Sequence, residues 1–280
     1  MNRYRSRIGQ GAMLLPLLAA CSGPAAPPRA TVGIDRPSEA PPFARLNYAA
    51  FGRADAVAIA LREWRLWGQA IDDDPPDTRP PPAPDDKPER VTGLWQRVGE
   101  YWWLGMNASS PEAGWTGKHD ADGRVFPASR DGNYAWSAAF ISYVMRIAGA
   151  GPRFPYSAAH ATYINAARQA GLDGATDWAL RAEPVTNAVP QPGDLICYGR
   201  NGAASMRYED LPTATSFTSH CSIVVASTPG SLTVIGGNVD DSVTLTHVPT
   251  TTTGTLADPD GTLLDTRYPW FVVLKVLYQQ

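Results

Sequence analysis

The chain has 280 residues, of which 44% are apolar, and carries a net charge of −3. That is enough material for one well-packed domain with extensions. The near-neutral balance contains no basic stripe, which argues against nucleic acid as a partner.

Arg3, Arg5 and Arg7 precede an apolar run, Ala12 to Ala20, that stops at Cys21. The run is too short to span a bilayer, and basic-then-apolar-then-small is the order of a secretory signal. Leu18-Ala19-Ala20-Cys21 resembles a bacterial lipobox. That resemblance implies a signal peptide over residues 1–20, cleavage before Cys21 and lipidation of Cys21. Ser22 in the next position implies the outer membrane. The mature chain is then expected to face the oxidising periplasm, held by acyl chains. Residues 21–45, rich in Pro and Ala, read as a flexible tether.

Residues 46–134 read as a helical extension. Val57, Leu61, Trp64, Trp67 and Ile71 recur at spacings of three and four, which predicts a helix over 54–71. Residues 72–90 are crowded with Pro and Asp and predict a solvated loop whose charges need no ligand. Leu94, Val98 and Trp102 predict a second helix over 91–104. The cluster Tyr101-Trp102-Trp103 is expected in the core rather than as a sugar platform. Residues 107–134 predict a long loop near a site.

The compact unit is expected over 135–280. Trp136, Phe140, Val144 and Ile147 form a helical stripe that Gly149 and Gly151-Pro152 stop. Another helix is predicted over 157–170. From residue 190 the signal changes to strands: 195–198, 222–226, 232–235, 243–248 and 271–278. Turn signals stand at Pro229-Gly230, Gly236-Gly237 and Asp258-Pro259-Asp260-Gly261. Helices first and strands afterwards predict an α+β fold, with N-terminal helices packed on an antiparallel β-sheet.

Ser137 opens the helical stripe. A helix N-terminus offers unpaired backbone N–H groups and partial positive charge, which stabilise an anion and hold an oxyanion. A hydroxyl still needs a base, and His220 at the start of a strand is the candidate. Asn238, with Asp240 or Asp241 as substitutes, is the candidate to orient the imidazole. Adjacent strand residues point to opposite faces, so Cys221 does not replace Ser137 if His220 faces it. Nothing puts Cys197 at a helix terminus. The two thiols lie on neighbouring predicted strands, and a disulfide and two buried free thiols both remain open.

Trp136 and His160 are candidate substrate contacts, and Arg200 is a candidate partner for a substrate carboxylate. His119 lies in a turn whose Asp-x-Asp-Gly lacks the further oxygen ligands of a calcium loop. His247 is expected on the surface. No His/Cys spacing suggests zinc, and no cofactor or metal is expected.

Trp136-Ser137-Ala138-Ala139-Phe140, Pro192-Gly193-Asp194-Leu195-Ile196, His220-Cys221-Ser222-Ile223-Val224 and Gly237-Asn238 resemble, in order, the motifs of NlpC-type and CHAP-type cell-wall hydrolases. The whole chain resembles a bacterial lipoprotein branch catalogued as domain of unknown function 2272. The resemblance implies a papain-like domain over 135–280 that cuts peptide or amide bonds in peptidoglycan, working as a monomer on a stem peptide. It matches the family's catalytic Cys to Ser137, its His to His220 and its polar third residue to Asn238. The oxygen in place of sulfur leaves three readings. One is a Ser-His-Asn hydrolase of peptidoglycan. The second is an inactive papain-like module that binds wall peptide or a protein partner. The third is a hydrolase of another envelope acyl or amide substrate.

Overall fold

The computed structural model describes residues 50–76, 78, 80 and 82–279. The expected signal peptide, lipidated Cys21 and tether lie outside these residues. Among the described residues, no helix is long and apolar enough to cross a membrane.

Among the described residues, four α-helices and six strands make an α+β fold. The helices are α1 (Arg53–Leu66), α2 (Leu94–Gly105), α3 (Ser137–Ile147) and α4 (His160–Asp173). The strands are β1 (Leu180–Pro184), β2 (Leu195–Gly199), β3 (Ser219–Thr228), β4 (Ser231–Val239), β5 (Ser242–Pro249) and β6 (Trp270–Val276). They form one antiparallel sheet in the order β1-β6-β2-β3-β4-β5. Strand β1 had no sequence signal, because Leu-Arg-Ala-Glu-Pro alternates weakly and ends in proline.

The α3 helix is the hub of the core. Every residue from Ser137 to Met145 is buried. Its sides are covered by α1, α2 and the sheet, and the apolar side chains of all of these join one cluster. The other face of the sheet has its own cluster, covered by the segments around Val185 and Leu256. In α1 the buried stripe is Ala56, Ala60, Glu63 and Trp67, with Val57, Leu61 and Trp64 only half-buried. Ile71 is not on that helix. It is exposed and pairs with Leu245 at the outer edge of β5. Tyr101 and Trp102 are buried, as the core expectation had it, whereas Trp103 faces outward.

Small residues in the α1 stripe let a carboxylate reach the helix interface. Glu63 is fully buried, with both its oxygens 2.6 Å from Arg97 Nη2. The Tyr101 hydroxyl donates to Glu63 Oε2 at 2.7 Å and accepts from the Trp67 indole N–H at 2.8 Å. The Tyr143 hydroxyl donates to Oε1 at 3.1 Å. Burial, and then the Glu63 charge, hold the Tyr101 phenol far above its ordinary range, so it stays a donor.

The described ends of the 72–90 stretch are tied to the fold, where a solvated loop was expected. Asp72 N–H donates to the Leu245 carbonyl, and the Asp73 carboxylate accepts from His247 at 2.7 and 2.9 Å. The segment ends in two 3-10 turns, Pro84–Asp86 and Pro88–Arg90, that bury Glu89. His247 is exposed.

Cys197 and Cys221 stand opposite each other on β2 and β3 and form a disulfide. It closes a loop with a sequence separation of 24 that takes in His220, the residue before Cys221 on β3.

Removing one member of a buried ion pair strands the other charge. We expect Glu63→Ala to lower unfolding stability by about 3–5 kcal/mol in urea titrations. A loss below about 1 kcal/mol would mean that the pair behaves as a surface bridge.

Candidate functional site

Two helices begin at one cleft. Ser137 is the first residue of α3 and His160 the first residue of α4. The lead-in to α4 is tied to α3 through Ser142, whose Oγ lies 3.3 Å from the Ser157 carbonyl. Ser157 Oγ accepts from the Ala159 N–H at 3.1 Å and lies 2.8 Å from Thr162 Oγ1, which starts the helix. The cleft, about 680 Å³, is lined by Ser137, His160, Arg200 and Asn238, together with Lys87 and Glu89.

Ser137 Oγ lies 2.7 Å from His160 Nε2. The other ring nitrogen, Nδ1, is hydrogen-bonded to the Tyr163 hydroxyl one turn along α4. Ser137 is 8% exposed and His160 4% exposed. Burial, the neighbouring His220 and then Arg200 hold the His160 imidazole well below the ordinary histidine range.

His220 is close by, with its ring centre 5.3 Å from that of His160. Its hydrogen bond does not go to Ser137. Nε2 lies 3.2 Å from Ser222 Oγ, and the ring packs 5.4 Å from Tyr198, its partner across β2. Burial, reinforced by Arg200, pushes its pKa down to about 3. Both imidazoles are therefore neutral at ordinary pH. The Arg200 guanidinium lines the cleft, and no ion pair holds it among the described residues.

Asn238 was expected behind His220, and the structure corrects this. Its Oδ1 accepts from the Trp136 backbone N–H at 3.1 Å, and its Nδ2 donates to Glu89 Oε2 at 3.3 Å. The hydrogen-bond partner of His220 Nε2 is Ser222 Oγ instead. Asn238 sits at φ +57°, a left-handed conformation that Asn tolerates better than most residues. Asp240 and Asp241 share that region, so the chain reverses at 240–241, while Gly236 and Gly237 lie inside β4 rather than in a turn. Their reason is space. A Cβ at Gly236 would stand 2.7 Å from His220 Nε2, and one at Gly237 would stand 2.5 Å from the Cβ of Phe140. These two glycines let β4 close on the imidazole and on α3.

The expectation for Trp136 also changes. Its side chain is fully buried, 5.1 Å from the Trp67 ring, and cannot touch a substrate. Its indole N–H donates to Glu89 Oε2 at 2.6 Å. Glu89 was missed by sequence reasoning because a lone carboxylate between Pro88 and Arg90 looks like more of the solvated stretch. Burial, and then the charges of Asp241 and Asp131, push its carboxyl up to about 8, against the Trp136 hydrogen bond and Lys87. It is mostly protonated at neutral pH. Tyr163 had no sequence signal beyond its i+3 spacing from His160. His119 lies in a turn, where Asp120 Oδ1 accepts the N–H groups of Asp122 and Arg124. Among the described residues no group of His, Cys, Asp and Glu side chains is placed to hold a metal ion.

Neither curated proteins nor solved structures provide a match to this chain. A family model described as "Uncharacterized protein conserved in bacteria (DUF2272)" matches residues 89–276, from Glu89 through β6. That span exceeds half of the sequence and takes in Ser137, His160, His220 and Asn238, and on it the chain belongs to the DUF2272 family.

Proposed function

We propose that this protein is a papain-like hydrolase of peptide or amide bonds in peptidoglycan, anchored through Cys21 at the outer membrane, facing the periplasm and acting as a monomer. The observation that carries the reading is the Ser137 hydroxyl, at the mouth of a helix and in a cleft, 2.7 Å from a buried neutral imidazole. The α+β order, with the serine at a helix start and His220 and Asn238 on successive antiparallel strands, supports the papain-like assignment. The lipobox-like Leu18-Ala19-Ala20-Cys21 supports the location.

In this mechanism Ser137 Oγ attacks the carbonyl carbon. Its proton passes to His220, the second imidazole of the pair, whose ring centre lies 5.3 Å from that of His160, and then to the leaving amine. First-turn N–H groups of α3 receive the oxyanion. Arg200 binds a substrate carboxylate at the cleft. The competing reading, a non-catalytic module that binds wall peptide in the same cleft, draws on the engagement of Asn238 with Trp136 and Glu89 rather than with His220.

Purified muropeptides separate the two readings. We expect the wild type to generate new fragments and Ser137→Ala to lose at least about a thousandfold in rate. Fragments that persist in Ser137→Ala would rule out this nucleophile. Wild-type binding without cutting would favour the module, and cutting of simple esters alone would favour a different envelope substrate.

The depressed imidazoles set the pH profile. A base of ordinary pKa loses activity below about 6.5. Here the base stays neutral well below that, so kcat/KM should hold from pH 7 down to pH 5. An acid limb near 6.5 would contradict the buried environment. Arg200→Ala should raise KM about tenfold, the value of roughly one charge-assisted hydrogen bond, and should move the acid limb upward by removing a positive neighbour. Unchanged KM and pH profile would remove Arg200 from the site.

A further inference from the structure

Tyr163 lies three residues after His160 on α4 and is fully buried. Its ring stands edge-on to the imidazole, at 85°, and packs against Phe154. Its hydroxyl meets His160 Nδ1 and, among the described residues, nothing else.

A phenol O–H in a sealed position must donate to something. Nδ1 is the acceptor in reach. A neutral imidazole has one donor nitrogen and one acceptor nitrogen, so an accepting Nδ1 places the proton on Nε2. Nε2 is the atom 2.7 Å from Ser137 Oγ. The opposite tautomer would aim Nδ1–H at the phenol oxygen and leave the phenol proton unpaired, which selects against it by roughly tenfold or more. Burial supports the assignment: it holds the Tyr163 phenol well above its ordinary range and the His160 imidazole well below.

We propose that Tyr163 is a positioning residue that fixes His160 as an Nε2–H donor to Ser137 Oγ, so that His160 steadies the developing alkoxide instead of withdrawing its proton. The catalytic part of this inference rests on the hydrolase reading; the direction of the hydrogen bonds does not. The chain runs Tyr163 O–H to His160 Nδ1, then His160 Nε2–H to Ser137 Oγ. The serine's own proton is left free to leave toward His220. As it leaves, the contact with His160 becomes a charge-assisted hydrogen bond, which is shorter and stronger than a neutral one.

Long-range proton–nitrogen spectra of the protein with 15N-labelled histidine read this directly, with His160→Gln to assign the signals. The inference expects a protonated Nε2 and a bare, hydrogen-bonded Nδ1 on His160 at pH 7. A proton on Nδ1 overturns it. Tyr163→Phe keeps the ring and removes the donor. It should shift the His160 Nδ1 resonance and lower kcat about tenfold with KM unchanged, and an unmoved Nδ1 resonance in a folded variant overturns the role of the phenol. In muropeptide digestion His160→Ala should lose about a hundredfold, the scale of one lost oxyanion donor. His160→Gln, whose carboxamide still donates, should retain clearly more than His160→Ala. Equal losses in the two variants would make His160 the base and overturn the proposal. If the wild type cuts nothing while Nε2 carries the proton, the donor chain stands and the hydrolase reading falls.

Discussion

The site depends on how Trp136 is pinned. The backbone N–H of Trp136 is held by Asn238 on β4, and its indole N–H by Glu89 in the turn before α2. Asn238 and Glu89 are themselves joined at 3.3 Å. This triangle connects the N-terminal extension, the sheet and α3 one residue ahead of Ser137. A helix start is held less firmly than the helix interior, since its first N–H groups lack partners within the helix. Here the residue before the start is fixed through both its backbone and its side chain, so Ser137 is presented to the cleft at a set angle. Glu89 suits this role because it is mostly protonated at neutral pH. A buried ionised carboxylate beside Asp131 and Asp241 would repel both.

The extension is therefore part of the site rather than an appendage. Glu63, reached through the small stripe of α1, draws Arg97 and Tyr101 from α2 and Tyr143 from α3 into one buried network. That network fixes the two outer helices onto the helix that carries the serine. Lys87 and Glu89, from the end of the Pro-rich stretch, then line the same cleft as Ser137.

Much of this was legible in the sequence. The apolar stripe of α3, the five strands from β2 through β6 and the α+β order follow from periodicity alone, because buried faces demand it. Ser137 at a helix start was legible for the same reason. The side-chain partners were not. Ser137 bonds to His160 rather than to His220 because α4 begins at His160, and a helix start cannot be fixed to one residue from pattern. Asn238 bonds to Trp136 because it takes a left-handed conformation at the end of β4, which a strand pattern does not reveal. Gly236-Gly237 was read as a turn. Glycines inside a strand also mark close approach, and here that second meaning held. Glu89 was hidden because a single carboxylate near other acids carries no mark of burial.

The central claim is that Ser137 is a reactive hydroxyl, and covalent capture tests it most directly. A fluorophosphonate exposed to the purified protein would form an Oγ–phosphorus bond as fluoride leaves, while the hydroxyl proton passes to His220. Peptide mass spectrometry then locates the adduct. The account expects a single adduct on Ser137, absent in Ser137→Ala. An unlabelled wild type, or an adduct on another serine, would contradict it.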